Sequence, residues 1–233
     1  MPTVAYNAYM FFKLAARYLK EASSAKEGES QVIRAKYTRE LLDAMQIEYH
    51  GPTREEIEKK GSCIYVANHS STLDALMICA FFEGDLRILA KESLFKVPRL
   101  GRILELEKHI KVYRGKDAHN RNKSIRDDIK RAISEGGSVF IFPEGTRTRT
   151  GELGTFKHGA FYNAIQCNVP VVPVIIRGTF ESMPAGTLRI KPCRCSLELL
   201  PSIQPPEESM GEEADRAAWL AEQTRQAMIS ALG

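Results

Sequence analysis

The chain has 233 residues, 43% hydrophobic and 27% charged, which excludes an intrinsically disordered segment and leaves enough apolar material for a core. Its formal charge of +4 and pI near 8.7 are too weak a bias to argue for nucleic acid, and fit a membrane surface or a phosphorylated substrate. No run of about eighteen apolar residues occurs, so no segment reads as a membrane-spanning helix.

Val4 to Leu19 reads as a helix in which Tyr6, Tyr9, Met10, Phe11, Phe12, Leu14, Tyr18 and Leu19 cluster, with Lys13, Arg17 and Lys20 toward its end. That make-up suits a helix lying in a membrane interface, and equally one packed on the domain body. There is no basic region ahead of it and no cleavage pattern, so a secretory signal is not expected. After a polar stretch, Gln31 to Met45 reads as a second helix carrying Arg34, Lys36 and Arg39.

Apolar, β-prone runs then alternate with helical ones. Strands are expected at Ile47–His50, Cys63–Ala67, Leu86–Ala90, Ile110–Tyr113, Ser138–Phe142, Val171–Ile176, Leu188–Ile190 and Ser196–Leu200. Helices are expected at Leu73–Phe82, Pro98–Glu107, Ala118–Ser134, Lys157–Gln166 and Glu212–Ala231. The alternation predicts an α/β fold, a mostly parallel mixed sheet flanked by helices. Residues 1–46 read as a helical, membrane-facing appendage and residues 47–233 as one further domain. The five cysteines form no disulfide framework, and Cys193-x-Cys195 has the wrong spacing for a zinc knuckle, so a reducing compartment is expected.

Two segments carry chemistry. Asn68-His69-Ser70-Ser71-Thr72-Leu73-Asp74 offers an imidazole and a carboxylate five positions apart. On one continuous helix that spacing separates them. If His69 lies on a loop and Ser71-x-x-Asp74 caps the next helix, the ring folds back onto the carboxylate. A carboxylate on one ring nitrogen fixes the tautomer and leaves the other nitrogen to take a proton. No nucleophilic side chain is needed if a substrate brings its own hydroxyl. Asp74 read only as a cap, with His69 a loop residue, stays open, as does Ser70 as a nucleophile, although no Gly-x-Ser-x-Gly surrounds it.

Phe142-Pro143-Glu144-Gly145-Thr146-Arg147 follows a strand, and ligands bind at strand ends of parallel sheets. Pro143 and Gly145 shape a turn, and the Arg147 fork suits two phosphate oxygens. Glu144 is a candidate acceptor for substrate hydroxyls. Arg114 and Lys91 lie at other strand ends: Arg114 is either a second ligand for the same anion or a solvated arginine, and Lys91 either polarises a carbonyl or is a surface lysine. Leu76, Met77, Phe81 and Phe82 of the helix expected at Leu73–Phe82 suit the core.

Taken together, the chain resembles the glycerolipid acyltransferase family. Asn68-His69 through Asp74 fits its first block, and Lys91-Glu92-Ser93-Leu94 with Pro98, Gly101 and Arg114 the second. Phe142 to Arg147 with Thr148 and Thr150 fits the third, and Val169-Pro170-Val171-Val172-Pro173-Val174 the fourth. The approach to Arg114 departs from the phenylalanine–isoleucine pair common in the family. The resemblance implies His69 as general base oriented by Asp74, and a substrate site made by Arg114, Glu144, Gly145, Thr146, Arg147 and Lys91. It implies transfer of an acyl group from acyl-CoA or acyl carrier protein to the hydroxyl of lysophosphatidic acid, giving phosphatidic acid. It implies no metal, no cofactor and no acyl-enzyme. The expected location is the cytoplasmic face of a membrane, held peripherally by the N-terminal helices, with no nucleic-acid partner. An acyltransferase for another lysophospholipid, and a non-catalytic lipid- or anion-binding protein, are the alternatives.

Overall fold

Seven strands form one sheet in this computed structural model: β1 (Glu48–His50), β2 (Ile64–Ala67), β3 (Leu86–Lys91), β4 (Ile110–Val112), β5 (Ser138–Ile141), β6 (Val171–Arg177) and β7 (Arg194–Leu199). The structure describes residues 4–26, 28–113, 120, 122–184, 186–187 and 189–233. The strand order is β1-β7-β6-β2-β5-β3-β4, and every neighbouring pair is parallel except β6 with β7. This is the mostly parallel mixed sheet that the alternation predicts.

The α-helices with described bounds are α1 (Val4–Ala22), α2 (Glu29–Ala44), α3 (Arg54–Glu58), α4 (Leu73–Phe81), α5 (Glu92–Phe95), α6 (Leu100–Leu106), α7 (Ile125–Ser134), α8 (Gly159–Cys167), α9 (Thr179–Ser182) and α10 (Glu213–Leu232). All four residues of β2 are buried, which is why its sequence is an uninterrupted apolar run rather than an alternation. Tyr65 and Ala67 face one layer with Phe140, Val172 and Val174, where Leu41, Leu42, Leu73 and Met77 of α2 and α4 pack. Ile64 and Val66 face the other with Val139 and Val171, where Ile129, Phe161, Ala164, Leu220 and Ala221 of α7, α8 and α10 pack. Burying a Leu, Ile or Phe side chain stabilises by about 1.5–3 kcal/mol, so these two layers dominate the fold.

Proline in a strand with neighbours on both sides is unusual, because it lacks a ladder donor. Pro173 of β6 pairs in register with Val66 of β2, yet its carbonyl accepts from Leu200 N–H at 2.9 Å, on the β7 side and just past the β7 strand. Its missing N–H therefore falls where the antiparallel ladder ends.

Some expectations shift. Arg189 and Ile190 lie in irregular chain, so the expected strand there is absent from the described residues. Two one-turn helices, α5 and α9, have too few residues to show a hydrophobic period. Within the helix expected from Ala118, Asn120 is helical, residues 122–124 form a turn and α7 begins at Ile125, while residues 118, 119 and 121 lie outside the described set. α2 is not a free basic surface. Arg34 is buried in an ion pair with Glu107, Arg39 pairs with Glu83 at 2.7 Å, and Lys36 lies 3.8 Å from Glu21. Met77 and Phe82 are core residues, with Leu76 and Phe81 packed against them.

Candidate active site

Strand order brings the blocks together. The chain leaves β2 toward β3 on one side and leaves β5 toward β6 on the other, although β2 and β5 are neighbours. Such a reversal opens a crevice at the carboxyl ends of the strands. His69 follows β2, the Phe142–Arg147 turn follows β5, and Gly178-Thr179 follows β6, so all three meet around that crevice.

Asn68 extends the pattern of β2 by side chain. Its Nδ2 donates to the Ile176 carbonyl and its Oδ1 accepts from Ile176 N–H, both at 2.8 Å. That reciprocal pair aims the next residue out of the sheet. His69 Nδ1 lies 2.8 Å from Asp74 Oδ2. The same oxygen accepts the backbone N–H groups of Ser70 at 2.7 Å and Ser71 at 2.8 Å. Asp74 Oδ1 accepts from Thr179 Oγ1 at 2.6 Å. The carboxylate is fully buried and the imidazole is about 20% exposed. Four converging donors make an ionised acid tenable without contact with water. An acceptor-only carboxylate puts the proton on Nδ1. Nε2 then carries the lone pair, and it has no hydrogen-bond partner among the described residues.

The capping box forms by half. Asp74 accepts the Ser71 amide, but Ser71 Oγ accepts from Leu73 N–H at 3.1 Å and donates to the Met183 carbonyl at 2.6 Å. Thr72, not Ser71, occupies the N-cap. Ser70 Oγ is buried 3.3 Å from Thr179 Oγ1 and makes no hydrogen bond to the His69 ring.

Phe142 stacks on the imidazole, with ring centroids 3.9 Å apart and planes at 17°. Glu144 Oε1 accepts from His69 N–H at 2.8 Å and its Oε2 from Gly154 N–H at 3.0 Å. Thr148 N–H returns a bond to the His69 carbonyl at 2.8 Å. The third block thus grips the backbone of the first. Desolvation pushes the Glu144 carboxyl above its ordinary value, while the two amides oppose that shift. Gly145 closes the turn, its N–H donating to Phe142 O at 3.1 Å with φ +73°. Glycine suits that left-handed backbone.

Arg147 is exposed, and its Nη1 donates to Thr72 Oγ1 at 2.6 Å. Thr146 is exposed beside it. Lys91 ends β3 on the same sheet edge, two strands from β2, also exposed. Arg114 lies outside the described residues. Tyr113 before it is bracketed by Asn122, which accepts from its N–H at 2.8 Å and donates to its carbonyl at 2.9 Å. Thr179 and the ring role of Phe142 were not legible beforehand. Phe142 stood in a recognised block, whereas no local pattern marks Thr179.

The acyltransferase family model matches residues 46–177. A 1-acyl-sn-glycerol-3-phosphate acyltransferase of Limnanthes douglasii is 33% identical over 144 residues, covering 62% of this chain and 51% of that protein. The Escherichia coli (strain K12) protein of the same name is 30% identical over 165 residues, 70% of this chain and 64% of that protein. A lysophosphatidylcholine acyltransferase of Drosophila melanogaster is 33% identical over 196 residues, 77% of this chain and 35% of that protein. The chain spans about half the length of the plant relative. The crystal structure of the 1-acyl-sn-glycerophosphate (LPA) acyltransferase PlsC from Thermotoga maritima superposes with a TM-score of 0.77 at 21% identity, covering 98% of this chain and 95% of that one, so the fold is shared. With more than half of its length matched by the family model, and all four blocks in order, the chain belongs to the acyltransferase family.

Proposed function

We propose that the protein transfers an acyl group from a thioester, acyl-CoA or acyl carrier protein, to the free hydroxyl of lysophosphatidic acid. The observation that carries this reading is the His69–Asp74 pair, with Nε2 unengaged, at the sheet edge that also presents Arg147. In this mechanism Nε2 takes the hydroxyl proton as the oxygen attacks the thioester carbonyl. Asp74 stabilises the imidazolium. The tetrahedral intermediate then expels the thiolate, which recovers the proton from the imidazolium. Arg147, with Arg114, holds the phosphate, Lys91 is the candidate for polarising the carbonyl, and Glu144, Gly145 and Thr146 shape the loop around the site. The reaction needs no metal or cofactor in this reading.

Residues 1–46 serve as the membrane-association segment, and the rest of the chain carries catalysis at the cytoplasmic face. Support comes from α1, where Tyr9 is 60% and Phe12 70% exposed. No helix among the described residues is long and apolar enough to cross a membrane.

Purified protein given lysophosphatidic acid and acyl-CoA is expected to release free CoA and form phosphatidic acid, read by mass spectrometry. His69→Ala is expected to lower turnover by about 10²–10⁴-fold, the usual contribution of a positioned general base. Near-normal turnover in that variant contradicts the assigned base. The Drosophila relative favours a second reading, acylation of another lysophospholipid. An acceptor panel with one long-chain donor separates the two. Vesicle binding with no thiol release from any donor is the result expected of a non-catalytic lipid-binding protein.

A further inference from the structure

Lys157 belongs to none of the blocks, yet it sits on the turn that grips His69. Its backbone N–H donates to the Pro143 carbonyl at 2.9 Å, which fixes residue 157 beside that turn. Its side chain then runs along Gly145. A Cβ built on Gly145 would lie 3.4 Å from Lys157 Cδ, 3.1 Å from Cε and 2.7 Å from Nζ. Three successive side-chain atoms therefore lie over one glycine, in space that any other residue at 145 would fill. Glycine there serves both the left-handed backbone and the lysine's passage.

An exposed lysine ordinarily extends into water, because its ammonium is strongly hydrated. This one lies against a backbone turn and has no hydrogen-bond or ion-pair partner among the described residues. The nearby carboxylate is committed elsewhere, since both oxygens of Glu144 accept backbone amides. Two positions from Gly145, Arg147 spends one N–H on the neutral hydroxyl of Thr72 and has no carboxylate partner among the described residues. The loop bound to the His69 backbone thus carries two cations, neither of them with a carboxylate partner among the described residues.

We propose that Lys157 is a substrate-binding residue that donates to a phosphate oxygen of a substrate beside His69, acting with Arg147. This rests on the acyltransferase reading above and adds a residue and a ligand chemistry to it. The phosphate belongs either to the lipid acceptor or to the nucleotide part of the donor. Both present the same anionic oxygens, and kinetics tells them apart.

The test is steady-state kinetics of the whole protein as wild type, Lys157→Ala and Lys157→Arg, varying lysophosphatidic acid at saturating acyl-CoA and then the reverse. Lys157→Ala is expected to raise one KM by about tenfold, the scale of a charge-assisted hydrogen bond reduced for exposure, with kcat within about threefold of wild type. Lys157→Arg is expected to recover most of the loss, because it restores the charge. A shift in the lysophosphatidic acid KM assigns the phosphate to the acceptor, and a shift in the acyl-CoA KM assigns it to the donor. Unchanged KM values in Lys157→Ala overturn the proposal, as does a fall in kcat with a lowered melting temperature that Lys157→Arg does not repair. If the wild type acylates and His69→Ala does not, a normal Lys157→Ala sinks the lysine role alone. A wild type silent with every acceptor and donor sinks the underlying reading as well.

Discussion

Asp74 shows how a buried charge is made tolerable at the scale of one residue. Removing a carboxylate from water without partners is prohibitively costly, and here four donors replace the lost solvent. Three come from residues 69–71, so they follow from local sequence. The fourth, Thr179 Oγ1, comes from 105 residues away. Thr179→Val keeps the shape and deletes the donor, leaving Oδ1 unsatisfied. We expect this variant to lose about 1–3 kcal/mol of stability and about tenfold in kcat, read by thermal melting and steady-state turnover, with Thr179→Ser near wild type. A Thr179→Val enzyme with full kcat would detach Thr179 from the dyad. His69 and Asp74 were visible as a spaced pair because their loop is short. Thr179 was not, because a hydroxyl after a strand has no distinguishing pattern until the strand order is known.

At the scale of elements, the N-terminal helices divide their labour. α1 buries Asn7 and Leu14, with Met10 partly buried between them and Tyr18 against Tyr37 of α2, a stripe with helical spacing. Its remaining surface exposes Tyr9, Phe11 and Phe12, with Lys13 over the Tyr9 ring at 5.7 Å. That is the composition of an interfacial helix. Replacing Tyr9 and Phe12 together by Ser is expected to reduce cosedimentation with anionic vesicles several-fold while leaving the melting temperature within a few degrees. Unchanged vesicle binding would assign the aromatics another role. α2 behaves differently from its sequence. It carries three basic residues, but Arg34 is buried and also donates to the Phe82 carbonyl at 2.8 Å. A charged side chain reads as solvated until its partner is known, and Glu107 lies 73 positions away.

Across the whole molecule, the same buried group joins the N-terminal helices to the sheet. Glu107 accepts from Arg34 and lies 3.2 Å from His109 Nε2, while His109 Nδ1 accepts from Ile88 N–H at 3.2 Å. The histidine is therefore neutral, with its proton on Nε2. Burial above all, and then the Arg34 charge, lowers its pKa from 6.5 to about 3. Between those values the unfolded chain binds a proton that the native protein does not, so stability falls as pH falls through that window. Wild type is expected to lose about 2 kcal/mol more than His109→Gln between pH 7 and pH 5, measured by denaturant unfolding at each pH. Parallel pH profiles for the two proteins would show that His109 is protonated in the native state after all.

The order of β2, α4, β3, β5, α8 and β6 was readable from apolar runs and turn residues, because burial selects the apolar residues of each segment separately. The first and third blocks were readable for a similar reason, since their chemistry rests on residues close together in the chain. Which strands lie side by side was not readable. That arrangement sets Glu144 on the His69 backbone, Thr179 on Asp74 and Lys157 over Gly145, and each contact joins segments whose separation in sequence carries no trace of their meeting in space. Adjacency depends on how the two helical layers cover the sheet, a property of the assembled core rather than of any one stretch.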